Sequence, residues 1–260
     1  MSLAKNAEDE LRDSLSVLYS MLKIIGAYPN RTKSSLSSVI LNFCIIFTFY
    51  FIQLLTVIPS ILYAFAIEKN SRRRVKLLMP HINNLCQLMK HTTLLSRMKE
   101  FREIMEEIRN SWLNATEENR RIFRTNAEIG RKVIIGIAAT IFSGGLSYRT
   151  IVPLLKGRIV LPNNTTIRLL PCPSYFVFFD GQLTPNYEII FVLQVFGGIL
   201  NYTTLCATMG VCAMLCLHMC SLLRILTNKM KELSDQPDIS ENAVQEKIAD
   251  IVEYQVNIKR

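Results

Sequence analysis

Recognisable catalytic motifs are missing from this sequence. It has no G-x-x-x-x-G-K-[ST] phosphate loop, no G-x-G-x-x-G turn, no H-E-x-x-H and no G-x-S-x-G. Three histidines, at 81, 91 and 218, offer no paired ligand spacing. Seven cysteines fall at 44, 86, 172, 206, 212, 216 and 220, and only Cys172 lies in a stretch that reads as extracellular, so there is no disulfide framework. Cys212, Cys216 and Cys220 share a helix face, but three ligands strung over two turns cannot close around one ion. They read as small packing residues in a membrane helix, with palmitoylation of Cys220 as the alternative. No enzyme, metal or cofactor is expected. A cleavable signal peptide is absent too, because the first long apolar run begins near Leu36 and is far too long for one.

Charge is missing from two long stretches, and this is what organises the chain. None occurs between Lys33 and Glu68, and none from Ile189 through Leu217. The second stretch is apolar all round, broken only by residues such as Asn201, Thr203, Thr204 and Thr208. As a helix it would be roughly 43 Å long, more than the ~30 Å hydrocarbon core of a bilayer. The fold class that follows is an all-α, multispan transmembrane helical bundle. The 260 residues carry a net charge of +9, 50% hydrophobic residues and a mean hydropathy of +0.23. The positive balance does not point to nucleic acid, because the Lys and Arg sit between apolar blocks and form no basic-aromatic platform. It suits cytoplasmic loops and lipid headgroups.

In chain order, residues 1–35 read as an amphipathic segment. Leu11, Leu15, Leu18, Leu22 and Ile25 share one face and Pro29 ends the pattern. The face suits either a membrane surface or packing on the protein. Residues 36–67 form the first span, with Pro59 inside it as a kink. Residues 75–95 are ambiguous: seven apolar residues alternate with His81, Asn83, Asn84, Gln87 and Lys90, and crossing requires those polar groups to face other helices or water. Residues 96–132 form a charged helical loop with Phe101, Met105, Ile108 and Trp112 at helical spacing. The third span, 133–155, carries Gly136, Gly144, Gly145 and Ser147, small residues that let helices approach closely. A connection, 156–186, holds overlapping N-x-T sequons at Asn163 and Asn164, which mark a glycosylated, non-cytoplasmic surface. The fourth span, 187–217, leads into a charged helical extension, 218–260.

Arg131 and Lys132 precede the third span, and Arg224, Lys229 and Lys231 follow the fourth, so the 156–186 loop lies outside. The side of the N-terminus then depends on whether 75–95 crosses, which the residues alone leave open. Polar, aromatic and small residues in the second, third and fourth blocks suit a pocket for small, mostly apolar ligands. Its candidates are His81, Asn84, Ser143, Gly144, Ser147, Tyr148, Phe191, Gln194, Val195, Gly198 and Tyr202. Gln194 would supply one directional hydrogen bond, and Tyr148, Phe191 and Tyr202 contact area. The plainer alternative for each polar residue is a hydrogen bond between helices.

Two stretches carry a resemblance: Leu170-Pro-Cys-Pro-Ser-Tyr-Phe-Val-Phe-Phe-Asp180, and Thr184-Pro-Asn-Tyr-Glu-Ile-Ile-Phe-Val-Leu-Gln194. With Gly26-Ala-Tyr-Pro29 before the first span, they resemble the insect odorant receptor family. The resemblance implies a seven-span, plasma-membrane receptor with a cytoplasmic N-terminus, so that 75–95 crosses and His81, Asn84 and Gln87 face the bundle. It also implies a volatile odorant as ligand, membrane lipid around the bundle, and a cation channel shared with a co-receptor subunit, as a hetero-oligomer (a tetramer when full length). Four of the seven spans are present, and Arg260 falls in the connection between the fourth and fifth. The expectation is therefore the N-terminal portion of a receptor, from a partial gene model or a truncated product, unable to conduct as written. The competing class is a non-conducting membrane adaptor or assembly protein. A transporter would show acidic residues or broken helices at mid-membrane, which are not evident here.

Overall fold

The fold, given by a computed structural model, is described for residues 2–28, 36–160, 166–235 and 241–259. The sequons at Asn163 and Asn164 lie outside the described residues, as do Pro29 and Pro237. Helices dominate: α1 (Ser2–Ser14), α2 (Ser16–Ile24), α3 (Leu36–Leu62), α4 (Ser71–Ser96), α5 (Met98–Leu113), α6 (Glu117–Lys156), α7 (Asn186–Ser234) and α8 (Glu241–Lys259). The fold is the all-α multispan bundle expected. Among the described residues, three helical segments are long and apolar enough to cross a membrane: Leu36–Ile67, Glu117–Lys156 and Asn186–Ser234. One short hairpin was not anticipated. Strands β1 (Arg158–Val160) and β2 (Thr166–Arg168) pair antiparallel, with Ile159 opposite Ile167.

The chain divides into two compact units. The first comprises Met1–Val17, Ile104–Ile134 and Gly210–Arg260; the second comprises Leu18–Glu103 and Ile135–Met209. In the first unit, Phe101's helical successors Met105, Ile108 and Trp112 are buried, as their spacing requires. Trp112 stacks on Phe123 at 5.8 Å, and Phe123 stacks on His218 at 5.4 Å. Asn126 donates to Ser221 Oγ at 2.7 Å, and Gly130 leaves room for the side chain of Leu217. The sequence suggested a division at 132/133, but the backbone has none. Helix α6 runs through it because no proline interrupts 117–152 and Gly130 is used for close packing.

Helix α1 is held in the first unit by charge as well as by Leu11 and Leu15. Glu8 pairs with Arg109 at 2.7 Å, Glu10 with Arg124, and Asp13 with Arg131 at 3.4 Å. These pairs are partly solvated, so each contributes about 0.2–1 kcal/mol and weakens with salt. Reversing all three carboxylates to lysine is expected to loosen α1 by roughly 1–2 kcal/mol at low ionic strength. Hydrogen exchange of the α1 amides would show it. A loosening undiminished in 1 M salt would mean that packing, not charge, holds α1.

In the second unit, the apolar face of the N-terminal segment is buried in protein: Leu18, Leu22 and Ile25 are fully covered. That answers the choice between membrane surface and protein packing for this part of the face. Helix α2 ends in a Schellman-type cap. Ala27 N–H bonds Leu22 C=O at 2.9 Å, Gly26 N–H bonds Lys23 C=O at 3.2 Å, and Gly26 takes φ +71°. A side chain there would also meet Ile46 at 2.8 Å. The remaining carbonyl, of Ile25, accepts from His91 Nε2 at 2.8 Å. His91 is wholly buried beside Phe49, with ring centroids 4.2 Å apart, and serves as a cap.

Helix α4 starts where Asn70 caps it, its side chain accepting from Arg72 and Arg73 N–H at 3.0 and 3.3 Å. Its polarity is inverted relative to a soluble helix. His81, Asn84, Gln87 and His91 are buried, while Val75, Met79, Ile82, Leu85 and Met89 are exposed. Both stripes follow helical spacing, so hydropathy summed along the segment hides how its faces divide, although Lys76, Asn83 and Lys90 are exposed as well.

Candidate ligand-binding site

The candidate residues lie in the second unit, on α4, the C-terminal part of α6 and the start of α7. The sequence places glycines where α6 and α7 meet, and each admits a large side chain from the other helix. Gly145 on α6 receives Tyr202 of α7: a Cβ there would sit 2.5 Å from the ring. Gly198 on α7 receives Arg149 of α6, and a Cβ would sit 2.8 Å from its Cδ. Gly197 faces Thr56 and Ile52 of α3 in the same way, and Gln53 donates to the Gly197 carbonyl at 2.9 Å. Gly144 is different, because nothing lies within 4 Å of where its Cβ would be.

Polar groups converge around this packing. Asn201 donates to Asn84 Oδ1 at 2.8 Å, joining α7 to the buried stripe of α4. His81 is 3% exposed, and its Nδ1 has no hydrogen-bond partner. Arg149 donates to the Gln194 carbonyl at 3.2 Å and lies over the Tyr202 ring, 5.7 Å from its centroid. Burying these groups is costly unless they are satisfied, so the pattern marks either helix contacts or a place for a polar ligand atom.

Gln194 was expected to offer a hydrogen bond to a ligand; the structure commits its amide to the loop. Its Oε1 accepts from Cys172 N–H at 2.9 Å, and its Nε2 donates to Cys172 C=O at 3.0 Å and Ser174 Oγ at 2.8 Å. The same loop is tied to α3. Tyr175 N–H donates to the Pro59 carbonyl at 2.9 Å, and the Ser60 and Ser174 hydroxyls lie 2.9 Å apart. Pro59 is followed by a wider, π-helical turn over Tyr63–Ile67, so its neighbourhood departs from regular α pairing.

The Pro-x-Tyr-Glu stretch at the start of α7 also has a physical account. Glu188 Oε1 accepts from Arg168 Nη1 at 2.8 Å and from Thr184 Oγ1 at 3.0 Å. The Arg168 guanidinium lies 4.0 Å from the Tyr187 ring centroid, and Tyr187 Oη donates to the Leu169 carbonyl at 2.8 Å. Arg168 further donates to the Gln182 carbonyl at 2.6 Å. The motif therefore grips one arginine at the end of β2 and fixes where the loop enters α7.

Of the candidates, the structure buries His81, Asn84, Gln194 and Gly198, and leaves Phe191, Val195 and Tyr202 half-buried. Ser143, Gly144, Ser147 and Tyr148 are exposed on α6, Tyr148 at 69%. Arg149 meets Gly198 and Tyr202, and Asn201, next to Tyr202 on α7, bonds Asn84; His81 lies one turn from Asn84 on the same buried stripe, while Ser143, Gly144, Ser147 and Tyr148 take no part in these contacts. Arg149 was not among the candidates. A charge near the end of a span usually reads as an interfacial anchor. The available signal was that α6 continues to Lys156, which leaves Arg149 inside the helix.

A family model described as 7tm Odorant receptor matches residues 74–260. In fold, the chain is similar to the insect olfactory receptor OR5 from Machilis hrabei, solved in complex with eugenol, with a TM-score of 0.65 and 15% sequence identity. That likeness covers 95% of this chain and 62% of the solved one, so the chain spans less than two thirds of that receptor's length. No curated protein matches it in sequence. The family match runs through α4, the loop and the Arg168 clasp, and covers most of the residues. The chain belongs to the 7tm odorant receptor family.

Proposed function

We propose that this chain is an odorant receptor subunit of the plasma membrane. It holds a small volatile ligand among α4, α6 and α7 and, in its full-length form, gates a cation channel with a shared co-receptor subunit. The observation that carries the reading is the family match, and the inverted polarity of α4 supports it. Apolar residues outward and His81, Asn84 and Gln87 inward is the arrangement a lipid-surrounded helix needs, so α4 crosses the membrane and the N-terminus is cytoplasmic. The odorant touches residues from the candidate set that face the bundle: His81, Asn84, Gly198 and Tyr202, with Phe191 and Val195 at the margin. The exposed face of Ser143, Gly144, Ser147 and Tyr148 meets lipid or further helices. Gln194 acts through the loop it anchors.

Co-expression of the complete open reading frame with an insect co-receptor in oocytes tests this. The expected result is an odorant-evoked cation current that is absent when the chain is omitted. A protein that reaches the surface with the co-receptor but gives no chain-dependent response to a broad volatile panel would instead be a non-conducting adaptor.

A further inference from the structure

Arg149 is a cation set inside a helix that crosses the membrane, and it is 6% exposed. Its guanidinium has five N–H donors, and among the described residues one is engaged, in the bond to the Gln194 carbonyl. Among the described residues no Asp or Glu pairs with it. An arginine at such a position normally turns its long stem toward the headgroups. Lys156, at the end of the helix, and Arg158, just beyond it, are exposed. Arg149 turns inward, and Gly198 on α7 supplies the recess its side chain enters. A Cβ at that position would lie 2.8 Å from Arg149 Cδ, so the side chain could not keep this path unshifted.

A second observation points the same way. His81, from a different helix and one turn before the Asn84 that bonds Asn201 of α7, is buried with Nδ1 unpartnered. Two helices thus bring nitrogen atoms with spare hydrogen-bonding capacity to the packing of α4, α6 and α7. What completes such a set is an oxygen acceptor, whose bonds to a desolvated guanidinium are charge-assisted.

We propose that Arg149 sets ligand selectivity by donating to a carbonyl-type oxygen (ketone, ester or carboxylate) on the odorant, with His81 Nδ1 as a second donor. The inference rests on the odorant-binding reading above and specifies the ligand's chemical class. Ligands with the same carbon skeleton but no such oxygen leave these donors unsatisfied and bind more weakly.

The test is equilibrium binding to the full chain in lipid nanodiscs, with empty nanodiscs as the blank and 2-octanone and octane as probes. The ketone is expected to bind at least about tenfold more tightly than the alkane, the scale of one hydrogen bond to a charged group. In Arg149→Met that preference collapses through loss of ketone affinity, while octane binding stays within about twofold. Equal affinities in the unaltered chain overturn the proposal without any variant, so a misfolded Arg149→Met cannot protect it. Equal weakening of both probes by Arg149→Met also overturns it, because Arg149 would then only support the helices. If neither probe binds above the blank, odorant binding itself fails and takes the proposal with it.

Discussion

Replacing Gln194 by leucine is expected to free the loop from α7 while leaving the helices formed. The change removes three hydrogen bonds at once, to Cys172 N–H, Cys172 C=O and Ser174 Oγ. Cys172 is 5% exposed, so its backbone groups lose their partners where water cannot replace them. The expected cost is about 2–4 kcal/mol. If opening is local, the Cys172 amide should exchange hydrogen roughly 30- to 1,000-fold faster than in the unaltered chain. Gln194→Glu should fall between the two, because a carboxylate keeps the acceptor for Cys172 N–H and loses both donors. Unchanged exchange at Cys172 in Gln194→Leu would show that Ser60 and the Pro59 carbonyl hold the loop by themselves.

Neighbouring glycines on α6 give the second large effect, and the same substitution should have opposite signs at the two positions. Gly144→Ala places a methyl in open space and gains helix propensity, so it is expected to stabilise by about 0.5–1 kcal/mol. Gly145→Ala drives a methyl to 2.5 Å from the Tyr202 ring, where a planar side chain has few ways to yield. Overpacking of that kind costs about 1–3 kcal/mol. In a background of Tyr202→Ala the Gly145→Ala penalty should vanish, giving a coupling of similar size in a double-mutant cycle. Thermal melts of the four purified proteins measure it. A Gly145→Ala penalty that persists without the Tyr202 ring would mean that the two helices do not meet as described.

The long apolar helices were legible because their signal is an absence of charge over many residues, which nothing else in a chain imitates. The segment now seen as α4 was not, since its polar and apolar residues are present in similar measure and only the three-dimensional arrangement says which side faces inward. Val75, Met79, Ile82, Leu85 and Met89 on one face, and His81, Asn84, Gln87 and His91 on the other, are separated around the helix and not along it. For the candidate site, the helices that carry His81, Asn84 and Tyr202 could be read. The partners could not: that Gln194 would satisfy Cys172, or that Tyr202 would enter the notch at Gly145, depends on loop and helix placements with no local signature. The hairpin was missed because three-residue strands carry too short an alternation to detect.

Trp112, the sequence's single tryptophan, stacks on Phe123 inside the first unit, which contains none of the proposed ligand contacts. Nature has thus placed one optical label in one half of the chain. Its emission follows the packing of α5 on α6, whereas circular dichroism sums helices from both halves. Heating the protein while recording both signals would separate the melting of one half from that of the whole. A volatile that shifts the dichroism transition and leaves the tryptophan transition in place would thereby be located in the second unit without a labelled ligand.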